Sequence, residues 1–169
     1  YVMVSGGIDL SIPSMMMLSG CVGALVMKNT QSMWAGMLTI LAVALLLGAF
    51  NGFCVAKLGM NAFIATMITM LVANGLSLWV TKSSSIPVLP EFTQTFGKYY
   101  GPFHMNILMM VACIAVLQFI LTKTRFGRCI YAIGTNEKAA QSCGIQTGKL
   151  KIRVYLISGF LAAMASIAL

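Results

Sequence analysis

Asp9 lies within Ser5-Gly6-Gly7-Ile8-Asp9-Leu10-Ser11-Ile12-Pro13-Ser14, where two glycines, a carboxylate and a proline interrupt an apolar stretch. A helix broken this way next to a bilayer must face protein or a water-filled cavity, because lipid cannot satisfy free backbone groups. Two roles follow for Gly6, Gly7, Asp9 and Ser11. They can form a discontinuous helix beside a translocation path, or Asp9 or Ser11 can cap the next helix by accepting its free N–H groups. Asn51, Asn74 and Gln118 are amides inside other apolar stretches, placed either to line a polar pathway or to bond a neighbouring helix. A second polar constellation is Asn136-Glu137-Lys138-Ala139-Ala140-Gln141-Ser142-Cys143-Gly144. Asn136 is a preferred N-cap, and Glu137 sits where the helix dipole favours negative charge. Ala139 and Ala140 favour helix and keep a flat face, and Gly144 suits a left-handed stop. A helix of this length is marginal alone in water and needs a partner or a surface to hold it.

The elements that carry these residues are apolar. The chain has 169 residues, 59% hydrophobic and 8% charged, with a mean hydropathy of +0.92. A soluble domain devotes about a quarter of its residues to charge, so the composition points to an all-α, polytopic membrane helix bundle. The membrane stretches are expected at Ile12–Met27, Trp34–Ala56, Ala62–Val80, Met105–Thr122 and Val154–Leu169. The first is short for a crossing, which takes about 20 residues. Between Thr81 and Phe103, Pro87, Pro90, Gly97, Gly101 and Pro102 mark an exposed loop, rich in Phe92, Phe96, Tyr99, Tyr100 and Phe103. These aromatics suit either a soluble partner or the headgroup layer.

Of the 11 basic residues, Lys123, Arg125, Arg128, Lys138, Lys149, Lys151 and Arg153 cluster in the Lys123–Arg153 segment against one acid, Glu137. Basic loops between membrane helices are retained in the cytoplasm. That places Lys123–Arg153 and the Lys57–Asn61 turn inside, and Lys28–Met33 and Thr81–Phe103 outside. The formal charge of +8 therefore reflects topology and not a nucleic-acid footprint, which needs a basic face on a soluble module. Small residues recur every four positions at Ala44, Gly48, Gly52 and Ala56, and again at Ser158, Ala162 and Ser166. Such stripes let helix backbones approach closely, within one subunit or across a dimer.

Several activities lack their residues. No GxxxxGK[ST] loop is present, so ATP-driven work would need another chain to bind the nucleotide. His104 is the single histidine, without an apparent nucleophile or metal partner, and no catalytic, cofactor or metal site is expected. The five cysteines have no CxxC spacing and read as reduced hydrophobes.

Gly6-Gly7-Ile8-Asp9-Leu10-Ser11, Gly52…Val55-Ala56-Lys57 and Phe63-Ile64-Ala65-Thr66 resemble the permease subunits of bacterial ABC importers for ribose and related simple sugars. The likeness continues through Arg125-Phe126-Gly127-Arg128…Tyr131-Ala132-Ile133-Gly134-Thr135-Asn136-Glu137, Ala139-Ala140…Ser142…Gly144-Ile145 and Tyr155…Ser158-Gly159. Order and spacing hold over essentially the whole chain, as expected for the middle half of a longer permease. The resemblance implies a second permease copy, two cytoplasmic ATPase subunits that hold ATP and Mg, and an extracytoplasmic solute-binding protein. It also implies that Asn136–Gly144 contains a coupling helix that docks into the ATPase. Pro13 and Thr135 depart from the family pattern, the first at the broken helix and the second beside the coupling segment.

The function expected is a permease subunit in the bacterial plasma membrane, importing a simple sugar or related polyhydroxylated solute. The alternative is an ion-coupled secondary transporter or channel without an ATPase, for which Asp9 is the one intramembrane charge available. A third reading is a membrane scaffold whose basic loop binds anionic lipid. Under the first, Glu137→Pro is expected to abolish solute-stimulated ATP hydrolysis and uptake while the protein still inserts.

Overall fold

The computed structural model describes residues 1–96, 99–100 and 103–168. The elements in order are α1 (Ile12–Thr30), α2 (Met33–Ala56), α3 (Ala62–Thr81), α4 (Pro90–Phe96), β1 (Tyr99–Tyr100), β2 (Phe103–His104), α5 (Met105–Lys123), α6 (Arg125–Thr135), α7 (Glu137–Ser142) and α8 (Thr147–Ala168). The architecture is all-α apart from the antiparallel two-residue pair β1–β2, in register Tyr99 with His104. Gly97, Gly101, Pro102 and Leu169, assigned above to the outer loop and the fifth stretch, lie outside the described residues, as do the side chains of Tyr99, Tyr100 and Phe103. Among the described residues four helices, α2, α3, α5 and α8, are long and apolar enough to cross a membrane.

The bundle forms where small residues let backbones meet. α2 packs along α8, and α1 packs against α2, α3 and α8. A Cβ on Gly48 would stand 2.6 Å from the Tyr155 carbonyl oxygen, and one on Gly159 would stand 2.5 Å from the Ala44 carbonyl oxygen. Only glycine fits either position. The Ala44–Gly48–Gly52 stripe is thus spent inside this chain, against Ile152, Tyr155 and Gly159 of α8. Ala162 and Ala163 are fully buried beside it. Close approach of this kind replaces the hydrophobic driving force that lipid removes.

The ends of the bundle differ. At one end Phe92 and Phe96 of α4, with ring centroids 5.0 Å apart, pack with Leu89 against Met27, Ile40, Ala163 and Ile167. At the other, α6 and α7 close over a cluster of Val2, Ile130, Ile133, Ala140, Leu150, Val154 and Tyr155.

The Lys123–Arg153 segment is mostly helical, and this corrects the reading of it as a loop with one short helix. Thr124 caps α6 by accepting the Gly127 N–H at 3.3 Å, and Ile130 and Ile133 turn inward while Arg128 stays exposed. α8 starts at Thr147, seven residues before the expected Val154. Lys149, Lys151 and Arg153 were read as loop because they are charged. They belong to the first turns of a helix that begins before its apolar span.

Candidate functional site

The break before α1 is held by hydrogen bonds to three other helices. Asp9 Oδ1 accepts the Ser11 backbone N–H at 3.0 Å and the Ser11 hydroxyl at 2.6 Å. Its other oxygen, Oδ2, accepts the Ser158 hydroxyl of α8 at 2.7 Å. Asn51 Nδ2 of α2 donates to Ser11 Oγ at 2.8 Å, and Thr69 Oγ1 of α3 donates to Asn51 Oδ1 at 2.6 Å. Thr66 Oγ1, also on α3, accepts the Leu10 N–H at 3.2 Å. Ser11, Asn51 and Thr66 have no exposed surface at all.

The capping role foreseen for Asp9 or Ser11 is not what these side chains do. Ser11 is the N-cap of α1 by position, but its side chain makes no cap bond. Its hydroxyl is used across the bundle instead, and Asp9 bonds Ser11 rather than the free donors of the first turn. Pro13 lies within the first two helical positions, where the missing N–H costs nothing. The family departure at Pro13 therefore removes no hydrogen bond from α1. Gly6 takes the left-handed φ of +82°, so the corner ahead of Asp9 requires glycine. Asn51 is the node of the network. Asn74 is half-buried and joins none of its bonds among the described residues, and Gln118 lies exposed on α5.

The network was only partly foreseen. Asp9, Ser11 and Asn51 were singled out, whereas Thr69 was missed and Ser158 was counted as a packing residue. A signal existed for α3, where Thr66, Thr69, Ala73 and Ser77 recur at spacings of three and four and are all buried. The pairing of Asp9 with Ser158 spans 149 residues and left no local trace.

The second constellation sits at the α6–α7 end. Asn136 Oδ1 accepts the Ala139 N–H at 3.0 Å, and the same residue terminates α6. Gly144 follows α7 with φ +81°, and the Ile145 N–H returns to the Ala140 carbonyl at 3.1 Å. Two side-chain contacts fasten this short helix to α8. Lys151 Nζ lies 2.7 Å from Glu137 Oε1, and Gln141 Nε2 donates to Thr147 Oγ1 at 2.9 Å. Lys138 and Ala139 face outward, but Ala140 is buried in the cluster beneath. The flat alanine face therefore reduces to Ala139. Glu137 is the first helical residue, a position that tolerates proline. Glu137→Pro would not break α7, and Ala140→Pro is the variant that does.

Between these constellations lies an open cavity of about 730 Å³. Its walls are the Gly6–Gly7 corner, the α2–α3 turn at Gly59–Asn61, the Glu137–Lys151 pair and the Tyr155 side chain. The Tyr155 hydroxyl is buried without a hydrogen-bond partner among the described residues, directly below Gly7. Leaving such a group unmet costs about 1–3 kcal/mol. Lys151, Tyr155 and Ser158 follow one another at spacings of four and three, so one face of α8 runs from α7 past the cavity to Asp9. No group of three or more His, Cys, Asp or Glu side chains converges among the described residues.

The model of a permease family, described as "Branched-chain amino acid transport system / permease component", matches residues 1–169. The chain belongs to this family. It is 34% identical over 171 residues to the L-arabinose transport system permease protein AraH of Escherichia coli K12, covering 100% of this chain and 52% of AraH. It is 36% identical over 174 residues to the ribose import permease protein RbsC of the same strain, covering 98% of this chain and 53% of RbsC. Against the fructose import permease protein FruF of Bifidobacterium longum it is 32% identical over 171 residues, covering 98% of this chain and 48% of FruF. The chain thus spans about half the length of the relatives it matches. No solved structure matches it. The chain is a multi-pass component of a bacterial plasma membrane, and the relatives it matches are named as transport or import permeases.

Proposed function

We propose that this chain forms the central part of the permease subunit of an ATP-driven importer for a simple sugar or related polyhydroxylated solute. One observation carries the proposal: relatives named for arabinose, ribose and fructose transport or import match across 98% or more of the chain. The family description names branched-chain amino acids, a different solute class, whereas these relatives, matched along 98% or more of this chain, are named for sugars.

In this reading α6 and α7 lie on the cytoplasmic side, where the basic residues of Lys123–Arg153 hold them. α7 docks into a separate ATPase subunit, which binds ATP and Mg. An extracytoplasmic binding protein delivers the solute, and a second permease copy completes the pathway. Closure of the ATPase dimer displaces α7. The Glu137–Lys151 and Gln141–Thr147 contacts pass that displacement to α8, and Ser158 carries it to the Asp9 break. A device of this kind works only if nucleotide favours one access state over the other. The ion-coupled alternative needs a carboxylate free to exchange its charge partner. Asp9 instead uses both oxygens to tie the start of α1 to α8.

The test is reconstitution of the complete permease with its ATPase and binding protein, reading sugar uptake and ATP hydrolysis together. Ala140→Pro is expected to insert normally and to reduce solute-stimulated hydrolysis to its basal level. Uptake that persists without any ATPase, driven by an ion gradient, would overturn the reading.

A further inference from the structure

We infer that the cavity between the Gly6–Gly7 corner, the α2–α3 turn and α7 is a solute site in its own right. It would hold a neutral polyhydroxylated molecule on its way out of the permease. The inference rests on the importer reading above and adds a location, a ligand chemistry and a contact residue to it.

The volume of about 730 Å³ exceeds what a single monosaccharide needs, and the cavity is open to the surface. Asn61, Glu137, Gln141 and Lys151 bring polar side chains to walls that are otherwise mostly apolar or glycine. Lys151 and Glu137 present an ammonium and a carboxylate already paired at 2.7 Å, so the net charge they offer a ligand is zero. A hydroxyl can accept from the first and donate to the second, and the pair calls for no charge on the ligand to balance it. The Asn61 carbonyl oxygen is taken by the Phe63 N–H at 2.9 Å, and its amide nitrogen makes no hydrogen bond among the described residues. Beneath Gly7 the buried Tyr155 hydroxyl has no partner among the described residues. A Cβ on Gly7 would lie 3.3 Å from that hydroxyl, with Val2 and Ala62 at similar distance, and Gly7, Ala62 and Tyr155 all line the cavity. Gly6 beside it is exposed, and its φ of +82° sets the turn. The site as drawn requires this corner to shift far enough for a ligand hydroxyl to reach Tyr155. Because the wall opposite is α7, the occupied site would touch the same ion pair that fastens α7 to α8.

The experiment uses the complete importer in inside-out vesicles, without binding protein, in a Cys143→Ser background. Met60→Cys places a thiol in the cavity wall, and Leu58→Cys places one on the exposed outer side of the same turn. Labelling by an impermeant maleimide is timed with and without millimolar D-ribose, L-arabinose or D-fructose. The transported sugar is expected to slow labelling of Met60→Cys several-fold and to leave Leu58→Cys unchanged. Tyr155→Phe removes only a hydroxyl that has no partner, so it should keep the sugar-free labelling rate and raise the sugar concentration needed for protection several-fold. Unchanged labelling of Met60→Cys in an assembly that imports one of these sugars overturns the site and leaves the importer reading intact. Equal protection at Leu58→Cys, or full protection in Tyr155→Phe, also overturns the site as drawn. An assembly that imports none of the sugars and shows no solute-stimulated hydrolysis defeats the importer reading, and the site falls with it.

Discussion

α2 and α5 have the same mean hydropathy across their most apolar stretches, yet a third of the α2 stretch is buried and none of the α5 stretch is. Nothing in their overall greasiness separates them. The difference lies in the small and polar residues of α2. Gly48 and Gly52 let α8 approach to backbone contact, and Asn51 reaches two other helices from between them. α5 carries Ile107, Leu108, Met110, Val111, Ile114, Val116 and Phe119 on its outside and touches mainly α6. In lipid an apolar helix has no reason to bury its surface, so hydropathy selects which helices enter the membrane and small residues select which of them pack.

The contrast can be broken most severely at the α2–α8 crossing. Gly159→Leu would drive a side chain into the Ala44 carbonyl, where only backbone is available to move. Its cost is expected to exceed the about 1–3 kcal/mol of ordinary overpacking, seen as loss of monodisperse protein after detergent extraction. Asn51→Leu comes next. It strands the Thr69 hydroxyl and removes the donor that Ser11 Oγ accepts, leaving Ser11 only its bond to Asp9, at about 1–3 kcal/mol, and thermal unfolding in detergent reads the loss. A double-mutant cycle with Thr69→Val would sharpen the point, since interhelical bonds in membranes couple by about 0.6 kcal/mol on average. Lys151→Ala is smaller in stability, no more than about 1 kcal/mol, because Glu137 is 41% exposed and water screens the pair. Its larger effect should fall on the ratio of solute-stimulated to basal ATP hydrolysis. Val111→Leu on α5 should change the stability of this segment by less than about 0.5 kcal/mol.

What could be read from the chain divides along the same line. The long apolar helices were visible because composition alone reports them, and so were the caps of α7, because Asn136 and Gly144 act within a few residues of themselves. α6 was missed although Phe126, Ile130 and Ile133 keep helical spacing, because Arg125 and Arg128 dominate so short a segment and read as loop. The break at Ser5–Ser14 was recognised, but its bonding partners were not. Asn51 lies 40 residues from Ser11 and Ser158 lies 149 from Asp9, and such pairs follow from the fold and not from any local pattern. Likewise Ala139 and Ala140 look alike in sequence, and only packing against the α6–α8 cluster turns one outward and the other in.

The most direct measurement is crosslinking from Ala139→Cys in the complete, working importer, combined with labelling of that thiol from each side of the membrane. Capture of a nucleotide-hydrolysing subunit, with reaction from the inner side alone, is the expected result. An active importer in which Ala139→Cys never captures such a subunit, or reacts from the outer side, would contradict the assignment of α7 as the link between motor and membrane helices.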